Sequence, residues 1–198
     1  MILVDLAWRT GLPFRTFTLD TGRLPAETRS MIETVRRRYG VNVEVVTPDP
    51  AEIRAMVEEH GLDLFYESAE MRQLCCNVRK VRPFERKLGE FDAWATGLRR
   101  RQGKTRAAVP KVAESSGRLK LAPIADWSPQ QVEAYLTEHD VPVHPLYAHG
   151  YTSIGCAPCT RSVRDGEDER AGRWWWEVDS KKECGIHFAP ECSDGAYI

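Results

Sequence analysis

The stretch Phe14-Arg15-Thr16-Phe17-Thr18-Leu19-Asp20-Thr21-Gly22 decides the fold. From Phe14 to Leu19 every residue except Arg15 is apolar or β-branched, which reads as a buried strand, and Asp20-Thr21-Gly22 supplies the turn chemistry that ends it in a loop. Downstream, Pro25 can open a helix in which Met31, Ile32, Val35 and Tyr39 recur at helical spacing until Gly40 stops it. Val41 to Thr47 reads as a second strand, and Pro50 opens another helix carrying Ile53, Met56 and Val57 before Gly61. Strand, helix, strand, helix in this order predicts an α/β fold with a doubly wound, mostly parallel sheet. Further along, Ser128-Pro129-Gln130-Gln131 opens a well-capped helix through Val132, Tyr135 and Leu136.

Upstream of the opening strand, residues 1 to 10 read as the body of an amphipathic helix, with Ile2, Leu3, Leu6 and Trp8 turned inward and Met1 inside it without a capping residue. A doubly wound fold places a strand and a phosphate-binding loop just before such a helix. The sheet is therefore expected to lack its first strand and that loop, with an exposed sheet edge and weak nucleotide binding as the consequence. The chain has 198 residues, 42% hydrophobic and 29% charged, enough for one sizeable core. A net charge of -1 makes no whole-protein case for nucleic acid. No apolar stretch approaches the roughly 20 residues that span a bilayer, so no membrane is expected either. Asp5 directly follows Met1-Ile2-Leu3-Val4, leaving no basic leader or signal-peptide core, and a cytoplasmic protein is expected.

In such a compartment the six cysteines read as metal ligands or reactive thiols rather than disulfides. They fall into three groups: Cys75-Cys76, Cys156-Ala157-Pro158-Cys159, and Cys184 with Cys192. A lone Cys-x-x-Cys serves zinc, redox dithiols and iron-sulfur clusters alike, but two pairs from distant segments can close one metal site. Adjacent side chains diverge, which is awkward for a single zinc ion and natural for a cubane whose corners are separate irons. The pattern favours a 4Fe-4S cluster on Cys75, Cys76, Cys156 and Cys159, with zinc and buried unliganded thiols as the competing readings. Arg79, Lys80 and Arg82 would offset the charge of such a site. Cys184 lies in Lys181-Lys182-Glu183-Cys184-Gly185-Ile186-His187, where lysines and a histidine can stabilise a nucleophilic thiolate. An ordinary surface cysteine in a basic tail is the alternative. Cys192 has no such context.

Several ordered motifs carry a resemblance: Leu19-Asp20-Thr21-Gly22-Arg23-Leu24, Cys75-Cys76-x-x-Arg79-Lys80, Gly97-Leu98-Arg99-Arg100, Asp126-Trp127, His144-Pro145-Leu146-Tyr147 with Gly150-Tyr151, Cys156-x-x-Cys159, Gly172-Arg173-Trp174-Trp175-Trp176, and Glu183-Cys184-Gly185-Ile186-His187. With these motifs the chain resembles the assimilatory sulfonucleotide reductases, specifically the cluster-bearing adenylylsulfate reductase branch, over nearly its whole length. The resemblance implies a PP-loop type fold, like that of the adenine nucleotide alpha hydrolases. It divides the chain into a reductase domain over 1–178 and a mobile tail over 179–198.

It further implies that Cys184 attacks the sulfur of adenosine 5'-phosphosulfate, releasing AMP and leaving an S-sulfocysteine, from which thioredoxin or a similar dithiol releases sulfite. His187 would tune Cys184 or dock the tail. By the same resemblance Leu19 and Thr21 lie by the nucleotide, while Lys80, Arg170 and Arg173, with Arg99, Arg100 and Arg106, contact the phosphosulfate region. Trp174, Trp175 and Trp176 read as packing rather than adenine stacking. The competing functions are a reductase of the 3'-phosphorylated nucleotide, a PP-loop ATPase of tRNA thiolation and a non-catalytic zinc module. A homo-oligomer is left open.

Overall fold

A computed structural model describes residues 1–103, 106–115, 117–177 and 186. The expected tail over 179–198, with Cys184, His187 and Cys192, lies outside the described residues apart from Ile186. The predicted alternation is present: α1 (Ile2–Arg9), β1 (Thr16–Leu19), α2 (Ala26–Tyr39), β2 (Val43–Val46) and α3 (Pro50–His60) follow one another. Then come α4 (Ala69–Cys76), a π-helical turn (Asn77–Val81), α5 (Arg82–Leu88), β3 (Ala93–Ala95), β4 (Val112–Ser115), β5 (Arg118–Leu121) and α6 (Pro129–Glu138). The boundaries follow the local chemistry. Gly40 ends α2 at φ 65°, a left-handed conformation that glycine adopts without steric cost. Asp49 accepts a hydrogen bond from the Ala51 N–H at the start of α3, and Ser128 with Gln131 forms a reciprocal cap on α6.

β1 and β2 pair in parallel, Thr16 opposite Val43 through Leu19 opposite Val46. β3 and β5 are also parallel, and β4 closes the second sheet antiparallel to β5, giving the order β3-β5-β4. Among the described residues the sheet is thus in two pieces, and every residue of β1 and β3 lines the cleft between them, of about 910 Å³. Arg15, just before β1, reaches Glu90 at 2.7 Å and lies 4.6 Å over the ring of Phe91, just before β3. The two strands therefore start near one another. The Asp20 N–H donates to Val46 and the Thr96 N–H to Leu121. Backbone groups alternate sides along a strand, so those of Phe17, Leu19, Ala93 and Ala95 face the cleft. Among the described residues, one edge of each sheet borders the cleft.

The first helix differs from the amphipathic reading in one respect. Ile2 is buried, but Trp8 is 47% exposed, its ring T-shaped to that of Tyr39, and the most buried side chain of α1 is Asp5. Tyr135 on α6 donates to Asp5 Oδ2 at 2.6 Å, as does Arg9 Nε at 2.6 Å, so a polar clamp joins the first and last helices. A charge inside an apolar face is tolerated because two donors replace its water.

Burial raises the Asp5 carboxyl, but the hydrogen bonds from Arg9 and Tyr135 outweigh it and hold the pKa below the usual aspartate value. A depressed folded-state pKa contributes stability at neutral pH that is lost as pH falls through that pKa, below about 4. Asp5→Ala is expected to cost about 1–3 kcal/mol at pH 7, since it leaves the half-buried Tyr135 hydroxyl without its acceptor. In denaturant melts the difference from wild type should shrink between pH 5 and 3. A pH-independent difference would show that the carboxylate charge is not what clamps α1.

Candidate functional site at the ends of the strands

β1 ends at Leu19, and the turn after it is set by the Gly22 N–H donating to Asp20 Oδ1 at 2.9 Å. This turn drives Thr21 inward until it is 1% exposed. Its hydroxyl lies 3.2 Å from Cys156 Sγ, and its carbonyl accepts from Arg79 Nη1 at 3.0 Å. One buried threonine thus touches both cysteine-bearing segments.

Cys75 and Cys76 close α4 where the helix widens into the π turn that carries Arg79 and Lys80. Such widened turns shift the following side chains to a new angle around the axis and recur at functional sites. Cys156 and Cys159 flank a short turn whose Ala157 N–H donates to the Arg23 carbonyl at 2.8 Å. The Trp174 N–H donates to the Cys159 carbonyl at 3.2 Å, and Thr160 pairs with Arg173 as an isolated antiparallel bridge. The four cysteines, free thiols as they stand, line one small cavity with Thr21, Arg23, Phe65, Arg79, Lys80 and Pro158.

The chemistry of this cavity fits a thiophilic inorganic group. Burial first, then the neighbouring Cys156, Cys76 and Cys75, push the Cys159 thiol up to about 12, with Arg173 opposing. Burial also raises Cys75, with Arg79 acting against it. Thiols that hinder one another's ionisation in a dry cavity ionise readily when a metal displaces their protons, and Arg79 and Arg173 lie close enough to act on the charge, while Arg23 is paired with Asp63 at 3.1 Å. No three His, Cys, Asp or Glu side chains among the described residues converge as ligands of one metal ion.

The cysteine cavity adjoins the large cleft, which brings together Leu19, Thr21, Lys80, Arg106, Arg170 and Arg173. Arg106 Nη1 donates to Gln102 Oε1 at 2.7 Å on the same wall. Arg99 and Arg100 are not part of the lining. Arg99 reaches Glu169, a cleft residue, at 3.7 Å, and Arg100 donates to the Val109 carbonyl at 2.9 Å. Ile186 also lines the cleft and packs against the cysteine core. The three tryptophans are packing residues, as expected. Trp174 is 1% exposed, while Trp175 and Trp176 meet each other and Tyr66 edge-on.

Sequence reasoning missed Gly155, Gln102 and Glu169 on the wall, and it missed Arg72 and Glu177. These last two form a buried ion pair, with Arg72 Nε to Glu177 Oε1 at 2.7 Å and Nη2 to Oε2 at 3.2 Å. No spacing rule links residues 105 apart. The only signal was a charged residue next to the tryptophan run.

Residues 1–162 match the family described as the phosphoadenosine phosphosulfate reductase domain. The adenosine 5'-phosphosulfate reductase of Allochromatium vinosum is 51% identical over 96% of this chain and 76% of its own length, and that of Burkholderia cepacia is 51% identical over 94% and 76%. Among solved structures, the phosphoadenylyl-sulfate reductase of Candida auris, in a phosphate complex, superposes with a TM-score of 0.67 at 29% identity over 82% of this chain and 77% of that one. Yeast FAD synthetase, with a TM-score of 0.51 at 14% identity over 80% of this chain and 48% of its own, shares the fold.

The Arg72–Glu177 pair yields a stability prediction. Arg72→Met leaves the Glu177 carboxylate buried without its bidentate cation, so a loss of about 3–5 kcal/mol is expected in urea denaturation. Replacing both, Arg72→Met with Glu177→Leu, should recover most of that loss. An unchanged midpoint in the single variant would contradict it.

Proposed function

The chain belongs to the phosphoadenosine phosphosulfate reductase domain family, in its adenosine 5'-phosphosulfate reductase branch, and on that premise we propose that it reduces its sulfonucleotide through an S-sulfocysteine on Cys184, with thioredoxin or a similar dithiol as donor. It is an oxidoreductase acting on sulfur, and it reduces adenosine 5'-phosphosulfate in sulfate assimilation. The observation that carries the proposed chemistry is the concentration of Lys80, Arg106, Arg170 and Arg173 in a cleft that opens beside Thr21 at the end of a parallel strand.

A thiolate meeting an anionic sulfate is repelled unless cations offset the charge, and those same cations stabilise the phosphate that departs. Lys80, Arg170 and Arg173 are assigned to the phosphosulfate, and Leu19 and Thr21 to the nucleoside side. The Cys184 thiolate attacks sulfur, a sulfur–sulfur bond forms, and the sulfur–oxygen bond to phosphate breaks with its electron pair leaving on AMP. A thiolate of the donor then attacks Cys184 Sγ, the pair of the sulfur–sulfur bond leaves with sulfite, and the donor's second thiol resolves the mixed disulfide. The dithiol is oxidised by two electrons and the sulfur is reduced by two. Support for Cys184 as nucleophile comes from its neighbour in sequence, Ile186, which belongs to the cleft wall. His187 is assigned to tuning that thiol.

Cys75, Cys76, Cys156 and Cys159 are proposed to hold a 4Fe-4S cluster. When bound, it supplies a fixed charge beside the cleft and a rigid link between the two cysteine segments. The described residues contain no helix long and apolar enough to cross a membrane.

Two measurements test the reading. Sulfite release from adenosine 5'-phosphosulfate with thioredoxin should vanish in Cys184→Ser and fall about 10- to 100-fold in kcat/KM in Lys80→Gln. RNA-dependent ATP turnover without sulfite would instead make the chain a tRNA-thiolating ATPase, and equal or better turnover of the 3'-phosphorylated nucleotide would move the substrate. Anaerobically purified protein should carry about four irons per chain with broad visible absorption. Stoichiometric zinc without that absorption would remove the cluster.

A further inference from the structure

Arg173 is 7% exposed, and among the described residues its side chain makes no hydrogen bond or ion pair, its Nε being buried without a partner. A cation in that position is unstable unless something holds it and something negative arrives. What holds it is a ring. The guanidinium carbons of Arg72 and Arg173 each lie 4.5 Å over the Trp174 ring centroid. The one indole thus contacts both guanidinium groups. Arg72 is neutralised by Glu177. Arg173 has no carboxylate partner among the described residues, and it lines the cleft beside the cysteine cavity.

The backbone is built around this arrangement. Trp174 sits at φ 44°, a left-handed conformation rare for a bulky residue, and is fixed there by its N–H to the Cys159 carbonyl and by the Thr160–Arg173 bridge. On the other side Gly155 leaves room for the guanidinium: a Cβ added there would come within 2.6 Å of Arg173 Cζ.

We propose that Trp174, backed by the Arg72–Glu177 pair, is a positioning residue that presents Arg173 to the anionic end of the substrate, with Gly155 as the notch that admits it. The identity of that anion as the phosphosulfate rests on the function proposed above. The indole attracts both cations through its π face, which orients the Arg173 guanidinium while leaving its N–H donors open to an oxyanion. An acidic partner would have consumed those donors.

Arginine side-chain NMR, assigned with Arg173→Lys and Arg72→Lys, reads the stack directly. Both Hε resonances should be shifted upfield by the indole ring current, and Trp174→Phe should keep part of that shift. Gly155→Ala meets only the mobile end of Arg173 and is expected to fold. It should abolish the Arg173 shift, spare that of Arg72, and weaken adenosine 5'-phosphosulfate binding about tenfold in a Cys184→Ser background while leaving adenosine binding unchanged. Trp174→Leu should lower the same affinity about tenfold, with Trp174→Phe within about threefold of wild type. An unshifted Arg173 resonance in the wild type, or unchanged sulfonucleotide affinity in Gly155→Ala, overturns the proposal. If the wild type binds no sulfonucleotide, the proposed function fails instead, and the resonances with inorganic sulfate as the anion still decide for or against the stack.

Discussion

Thr21 is the point on which the site depends. Its hydroxyl meets Cys156 and its carbonyl takes the guanidinium of Arg79, three residues after Cys76. The end of the first strand, the Cys156–Cys159 turn and the end of α4 are therefore registered against one another through a single residue that is almost wholly buried. The two cysteine pairs, separated by 79 residues, are tied a second time through Arg72 on α4, which contacts Trp174, whose N–H donates to the Cys159 carbonyl. The constraint also explains the location of the cleft: loops at the ends of parallel strands are the part of such a sheet free to vary while the strands hold them in place.

The second theme is the placement of charge. Arg23, Arg79 and Lys80 border the cysteine cavity, while Lys80, Arg106, Arg170 and Arg173 line the cleft, so Lys80 belongs to both. This basic focus sits in a chain with a net charge of only -1. Several cations away from the cleft are held in ion pairs. Arg15 and Lys87 share Glu44 and Glu90, Arg161 pairs with Glu167, and Arg72 with Glu177. Local concentration rather than overall basicity makes an anion site, because low-dielectric walls limit screening of the charges they enclose.

The core and the site are one construction. Cys75 and Cys159 belong to the same buried cluster as Met56, Leu64, Phe65, Val78 and Trp174. The apolar packing that stabilises the domain thus also dries the thiols, which is why burial dominates the rise of the Cys159 pKa. Trp174 serves both ends of this construction, as core filler and as the ring that both the Arg72 and Arg173 guanidinium groups contact.

The sequence by itself determined the alternation of strands and helices, the cap at Ser128, the helix start at Pro50, the stop at Gly40 and the two cysteine pairs, because these depend on periodicity and on contacts a few residues apart. It also determined the motifs that carry the family. Tertiary structure decided what depends on distant residues meeting: that Asp5 rather than Trp8 is the deeply buried side chain of the first helix, since its donor Tyr135 comes from the last one. It decided likewise that Arg106, Arg170 and Arg173 line the cleft while Arg100 is turned to a backbone carbonyl. The physical reason is the same throughout. Periodicity tells which face of an element is apolar, but the cost of burying a charge is set by whichever partner the fold brings to it.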